Sequence, residues 1–491
     1  MPFSTFLIGH ESLVIQCGEM LREAGHGIQG VATRNPDVEA WARSHSLPLH
    51  APGQDLSNRI EGVSFDWLLS IANLDLLPQT LLDKASKGAV NFHDGPLPRY
   101  AGLNAPVWAI LNGEAQHGIT WHTISGGVDE GGIVAQNLFD ISDRETALTL
   151  NTKCYGAAIE SFGDVIRALD TDQPTTPQDL SQRSYFAKND RPAAAARLDF
   201  KKPARDLAAL VRALDHGDYW NPLCRPKIER DGQIWLIGSA EVSDQTSDTA
   251  PGTILASNAD TVTIATADGA IEVSDLRNGL GAPVPIDGIL NGGSALPLLT
   301  EEQTGSIDQV VANTLSAEPD WRARLEALIA IDIPLIYTSD PSGAPQSHTL
   351  HMPEGLAPST AKAALAALIA RLGDTATLDL ALRLNTATSP YLNGWVPVRF
   401  SADQAFSDAE RSFEQTIVQA SEMGPFACDL PARLPGAASM PTPVIGVSDD
   451  ISAGLVPGTS LTLATSGDEA ALFVDSGHVS KAALHLFAAR L

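Results

Sequence analysis

The sequence predicts an α/β protein with a parallel sheet in its first part, a small β-rich unit after it and a mixed α+β unit at the end. Three patterns lead there. Up to about residue 170, short apolar runs alternate with stretches of helical periodicity, which implies strands joined by helices packed on both faces of one sheet. After residue 204, short runs follow one another with turns between them, as in a small barrel. After residue 318 the two textures mix.

In chain order, residues 6–9 read as a buried strand and residues 12–24 as a helix, with Leu13, Cys17, Met20 and Leu21 at helical spacing and Gly25 as its stop. Residues 28–33 form the next strand, 36–45 a helix, 65–71 a strand, 76–85 a helix and 89–93 a strand. Residues 119–125 and 133–139 are strands on either side of a Gly-rich turn, and residues 147–169 are a long helix. Residues 171–177 and 190–192 are polar and turn-rich, so they wrap this first part. A short helix at 204–214 precedes strands at 234–237, 252–255, 261–266 and 270–273, with an acidic exposed loop at 241–251. The last part has helices at 321–330, 358–372, 406–420 and 480–491, and strands at 378–384, 396–400, 461–465 and 470–474.

A chain of 491 residues exceeds one core. Its net charge of -27 argues against a nucleic-acid backbone as main partner, because phosphate binding needs clustered Lys and Arg. Cys17, Cys154, Cys224 and Cys428 are too dispersed for a zinc set, and free thiols suit a reducing cytoplasm. No run reaches membrane-spanning length and no secretion signal opens the chain, so no membrane partner is expected. The turn after the first strand, Gly9-His10-Glu11-Ser12, is not GxGxxG, which counts against a nicotinamide dinucleotide.

The chemistry gathers around residues 91–100, Asn91-Phe92-His93-Asp94-Gly95-Pro96-Leu97-Pro98-Arg99-Tyr100. Asn91 and His93 lie two apart at a strand end, so their side chains share one side of the backbone, where open α/β sheets place their ligands. Asp129 supplies a carboxylate from the Gly-rich turn 127–132.

This loop, with Gly118-Ile119-Thr120-Trp121-His122 and residues 128–136, resembles the folate-dependent formyltransferases over roughly residues 1–190. The resemblance implies a Rossmann-like catalytic domain with Asn91, His93 and Asp129 as its catalytic residues and 10-formyltetrahydrofolate as formyl donor, with no metal. It also implies a folate pocket built from residues 69–78 and the Asp129 turn, here Ile71, Asn73, Leu76, Leu77 and Val128. The chain departs from the common family pattern at Gly95-Pro96, where many members have Ser-Leu, and at Ala101, where many have Arg. Formyl transfer needs an amine to attack a formyl carbon, whose oxygen becomes an oxyanion. Asn91 can donate an N–H to it and protonated His93 a second hydrogen bond. Asp129 beside His93 favours the imidazolium and helps move the amine proton. His117 and His122 read as structural, with His122 lining the site.

Residues 200–298 resemble the barrel-like, OB-like C-terminal domain of several formyltransferases. Residues 318–491 resemble the second lobe of nonribosomal peptide synthetase condensation domains, through Tyr391-Leu392-Asn393-Gly394-Trp395-Val396-Pro397-Val398-Arg399. The HHxxxDG motif of that family is absent, and His348 and His351 do not reproduce it. The expected activity is therefore formyl transfer to the amino group of an amino acid or carrier-bound aminoacyl substrate, at the front of an assembly line with adenylation and carrier domains downstream. Two alternatives stand beside it: formylation of methionyl-tRNA, and a formyltransferase-like scaffold without turnover.

Overall fold

The computed structural model describes residues 2–245, 248–331, 345–352 and 355–489. The chain divides into two units: Met1–Asp190 with Ala208–Gly217, and Arg191–Leu207 with Asp218–Leu491.

In the first unit the elements are β1 (Ser4–Ile8), α1 (Leu13–Glu23), β2 (Gly27–Ala32), α2 (Pro36–Ser44), β3 (Leu49–His50), α3 (Leu56–Arg59), β4 (Phe65–Ser70), α4 (Gln79–Leu82), β5 (Ala85–His93), β6 (Ala101–Gly102), α5 (Ala105–Leu111), β7 (Gln116–Thr123), β8 (Ile133–Asp140), α6 (Ala147–Asp170) and β9 (Tyr185–Phe186). Their main sheet has the order β3-β2-β1-β4-β5-β7-β8. The pairs from β3 through β5 are parallel, as the alternation of strands and helices implies. β7 and β8 then extend the sheet antiparallel, an edge the sequence reading did not foresee.

Local chemistry explains the element ends. The Asn35 side chain accepts from the N–H groups of Asp37 and Val38, with Pro36 in the first turn of α2. Thr146 and Thr149 form a reciprocal capping box at the start of α6. α1 turns Leu13, Val14, Cys17 and Leu21 inward, and α6 adds Cys154, Ala158, Phe162 and Val165 to the same core. Val90 and Phe92 of β5 point into that core, and Ala89 joins the core on the opposite face, which puts Asn91 and His93 on the Ala89 side.

The helix expected at 76–85 is confined to Gln79–Leu82. Asn73 hydrogen-bonds the backbone of Asp75 through both its amide and its carbonyl, which favours a loop over a helix, and β5 already begins at Ala85.

The second unit takes up the start of α7 (Ala204–Ala213), whose residues from Ala208 on belong to the first, and continues through β10 (Lys227–Arg230), β11 (Gln233–Ser243), β12 (Ile254–Ser257), β13 (Thr261–Ala265), β14 (Ala270–Arg277), α8 (Glu301–Ala312), α9 (Glu318–Glu326), β15 (Pro345–His351), α10 (Pro358–Leu372), β16 (Thr377–Leu382), β17 (Val396–Ser401), α11 (Phe406–Met423), β18 (Ile445–Ser448), β19 (Leu461–Ser466), β20 (Glu469–Asp475) and α12 (Lys481–Ala488). Among the described residues it holds a five-stranded sheet, β10-β11-β14-β13-β12, and a six-stranded one, β15-β20-β19-β18-β16-β17. The acidic loop expected at 241–251 starts later, because β11 runs to Ser243; its residues 246–247, like residues 490–491 of the expected last helix, lie outside the described residues.

Two features of this unit matter below. Lys227 and Asp429, both buried, pair at 2.9 Å, and the Lys227 ammonium also donates to the carbonyls of Ala195 and Arg225. Ala194, Ala195 and Ala196 are successive left-handed residues, with φ of 51°, 50° and 62°.

Candidate active site

β4 ends at Ser70, opposite Asn91, β5 runs two residues further to His93, and on its other side Asn91 and His93 face His122 and Thr120 of β7. The strand carries the two side chains to one side, and the neighbouring strand supplies a second imidazole.

The loop after His93 is held by side chains beneath it. Thr120 donates its hydroxyl to the Gly95 carbonyl at 2.8 Å and accepts from the Leu97 N–H at 3.1 Å. Gln136 of β8 donates to the Leu97 carbonyl and to the Thr120 hydroxyl. His117 donates to the Asp94 carbonyl at 2.8 Å. Further along, Tyr100 and Ala101 bond to Ser184, and the Phe186 ring stacks on both Tyr100 and Trp108. The segment after α6 thus fastens the loop through residues 184–186, which lie between the two turn-rich stretches expected to wrap this part.

His93 is buried, and its Nε2–H donates to the Tyr100 carbonyl at 2.7 Å. A carbonyl only accepts, so that nitrogen carries a proton and Nδ1 is the one left for chemistry. Nδ1 lies 3.7 Å from an Asp129 oxygen and 3.8 Å from an Asp94 oxygen. Gly95 gives this arrangement its room: a Cβ there would stand 2.7 Å from His93 Nε2 and 2.9 Å from the Tyr100 carbonyl oxygen.

Asp129 has a left-handed backbone, φ 57°, which aspartate tolerates better than most residues. Gln178 donates to the carbonyls of Asp129 and Gly131, and Arg183 to that of Val128. One Asp129 oxygen accepts the Gly102 N–H at 2.8 Å, and the other lies 3.4 Å from His122 Nε2. Burial by itself would raise the Asp129 carboxyl; the His122 hydrogen bond, the His93 charge, the Gly102 N–H and the His122 charge outweigh it and lower it to about 2. Asp129 is therefore a carboxylate at any neutral pH.

His122 Nδ1–H donates to the Thr123 carbonyl, and its Nε2 sits between the Asn91 amide nitrogen at 3.3 Å and Asp129. A neutral ring accepts the Asn91 N–H; a protonated ring donates to Asp129 and frees that N–H. His122 thus belongs to the site more fully than the sequence suggested. Its signal was cross-strand register with Asn91, which local sequence does not carry. Gln178 was missed because its contacts with the Asp129 turn span 49 and 47 positions, and Asp94 and the Tyr100 carbonyl because their places beside the His93 ring depend on the path of the loop.

The structure brings Asn91, His93 and Asp129 together around His122. The expected folate residues divide. Ile71 is buried at the end of β4, and Asn73 and Leu77 are half-buried in the loop after it. Leu76 and Val128 are exposed, as is Leu74. Exposed apolar side chains on the loop after β4, the strand beside Asn91, and on the turn carrying Asp129 suit a flat apolar ligand better than bulk water does. Among the described residues, no group of three or more His, Cys, Asp or Glu is arranged to hold a metal ion.

Comparison with known proteins adds to this geometry. Residues 23–166 match the Formyl transferase family model, and residues 192–294 match that of the Formyl transferase C-terminal domain. A methionyl-tRNA formyltransferase of Thiobacillus denitrificans is 31% identical over 274 residues, which cover 55% of this chain and 84% of the relative. Among solved structures, WlaRD, a sugar 3N-formyl transferase determined with dTDP and 5-N-formyl-THF, is 17% identical with a TM-score of 0.45, covering 56% of this chain and 98% of that one. HypX from Aquifex aeolicus in complex with tetrahydrofolic acid is 19% identical with a TM-score of 0.44, covering 59% of this chain and 48% of that one.

Proposed function

Because the chain belongs to the formyl transferase family of enzymes, we propose that it transfers a formyl group from 10-formyltetrahydrofolate to an amino group. The observation that carries this is the convergence of Asn91, His93, Asp129 and His122 at the carboxyl end of β5.

The residues divide the work. Ile71, Asn73, Leu76, Leu77 and Val128 would hold the folate, which supplies an activated formyl carbon. Asn91 donates an N–H to the oxygen that gains negative charge. His93, fixed through Nε2, offers Nδ1 to hold or move a proton. Asp129 keeps a negative charge 3.7 Å from that nitrogen.

The acceptor in this reading is an amino acid amine or a carrier-bound aminoacyl group, within a nonribosomal peptide assembly line. It goes with the division into a catalytic domain 1–190, a barrel-like domain 200–298 and a condensation-like lobe 318–491. What supports it is the sequence of the last segment, residues 391–399 above all. The methionyl-tRNA formyltransferase relative favours a second reading, with methionyl-tRNA as acceptor; the net charge of -27 weighs against it.

Incubation with 10-formyltetrahydrofolate and amino acids, aminoacyl carrier proteins or methionyl-tRNA, followed by mass spectrometry, decides among these. Formylated amino acid or carrier adduct supports the first reading, and formylmethionyl-tRNA the second. Folate binding with no formylated product on any acceptor leaves the scaffold alternative. No folate binding at all defeats formyl transfer.

A further inference from the structure

Two carboxylates flank His93, and they are used differently. The oxygens of Asp129 are taken up by the Gly102 N–H, His93 and His122, and its side chain is only 10% exposed. The Asp94 side chain is 30% exposed and lies 3.8 Å from His93 Nδ1, with the His117 ring and the Cys154 thiol within electrostatic reach. Among the described residues no hydrogen bond reaches its oxygens. Its backbone, by contrast, is clamped: the Asp94 carbonyl accepts from His117 at 2.8 Å and from the Cys154 thiol at 3.8 Å. The neighbouring Gly95 carbonyl is held by Thr120. A rigid backbone therefore presents a carboxylate with open lone pairs to solvent, beside the nitrogen that handles protons.

We propose that Asp94 receives the acceptor as a cationic amine, so that the site selects basic aliphatic amines over uncharged ones. The proposal rests on the formyl-transfer reading and names the acceptor class within it. A primary aliphatic amine is an ammonium at neutral pH, with three N–H donors and no acceptor, and a carboxylate with free lone pairs is its complement. A metal ion is a poorer match, since no set of three ligating side chains stands here among the described residues. Binding comes before chemistry: the ammonium must still release one proton to water before its nitrogen has a lone pair for attack.

The test compares wild type with Asp94→Asn, which keeps shape and removes charge, and with Asp94→Glu, which restores charge. The probes are 1-aminobutane, a cation at neutral pH, and O-methylhydroxylamine, which is uncharged. Binding is read by saturation-transfer NMR with and without 5-formyltetrahydrofolate, and formyl transfer to each amine by mass spectrometry. Asp94→Asn should bind 1-aminobutane about two- to fivefold more weakly, the scale of one partly exposed ion pair, through KM rather than kcat. O-methylhydroxylamine should be unaffected, and Asp94→Glu should recover part of the loss. Wild type that does not bind 1-aminobutane, or an Asn variant that weakens both probes equally or neither, overturns the proposal. Affinity for 5-formyltetrahydrofolate is measured in parallel: its absence in wild type defeats the formyl-transfer reading, whereas its presence with unchanged amine binding in the variant defeats only the role of Asp94.

Discussion

At the scale of single residues, His93 has one nitrogen bonded to the backbone and one facing Asp129. The room for this comes from Gly95. Gly95→Ala should push against the His93–Tyr100 hydrogen bond and lower kcat by about 10- to 100-fold, the scale of a misplaced reacting group, with a normal circular dichroism spectrum. Asn91→Ala should reduce kcat by about 10²- to 10³-fold, as loss of one oxyanion donor does, with little change in folate affinity. Asp129 carries a pH prediction. Its carboxyl is depressed from 3.8 to about 2, so the unfolded chain binds that proton more readily than the folded one. The stability linked to it is complete above the unfolded value and is lost as pH falls through about 2. Unfolding free energy followed by urea titration should therefore drop more steeply between pH 4 and pH 2 in wild type than in Asp129→Asn. Equal slopes would remove Asp129 from the acid response.

At the scale of elements, β5 was legible because its alternation is local: Val90 and Phe92 inward, Asn91 and His93 on the other side. The antiparallel turn-back of β7 and β8 was not, because strand direction depends on pairing with distant residues. α5 was missed since its seven residues begin after Asn104, a left-handed residue, and include Pro106, so they resemble a loop. His122 was underweighted for a related reason: its meaning comes from facing Asn91 across two strands. The long helix α6 gives the most direct test of a local signal. Removing its capping box with Thr146→Ala should lower stability by about 1 kcal/mol in urea unfolding; a change near zero would show the helix held by packing alone.

At the scale of the whole molecule, the second unit holds two sheets among the described residues. Lys227, the first residue of β10 in the five-stranded sheet, and Asp429, from the last segment, pair in its interior. Burial opposes both charges, and each holds the other charged: Lys227 is raised and Asp429 lowered. No local pattern could announce this, because the partners are 202 positions apart. Asp429→Ala would strand the ammonium and should destabilise this unit by about 3–5 kcal/mol, while Lys227→Met with Asp429→Leu should restore most of the loss. Differential scanning calorimetry of the three proteins would read both effects.

The turn of Ala194, Ala195 and Ala196 carries a consequence about handedness. These residues wind in the mirror sense of an ordinary helix, at about 1–2 kcal/mol per L-residue. Ala194 and Ala195 nevertheless have buried methyl groups packed with Leu299, Ile307, Val311 and Tyr391. Glycine, elsewhere the weakening substitution, would here relax the backbone while deleting a packed methyl, so Ala195→Gly should come out near neutral. A D-alanine introduced by chemical ligation reverses the stereocentre without changing its composition. Its effect on stability would separate the demand of chirality from the demand of packing at one peptide position.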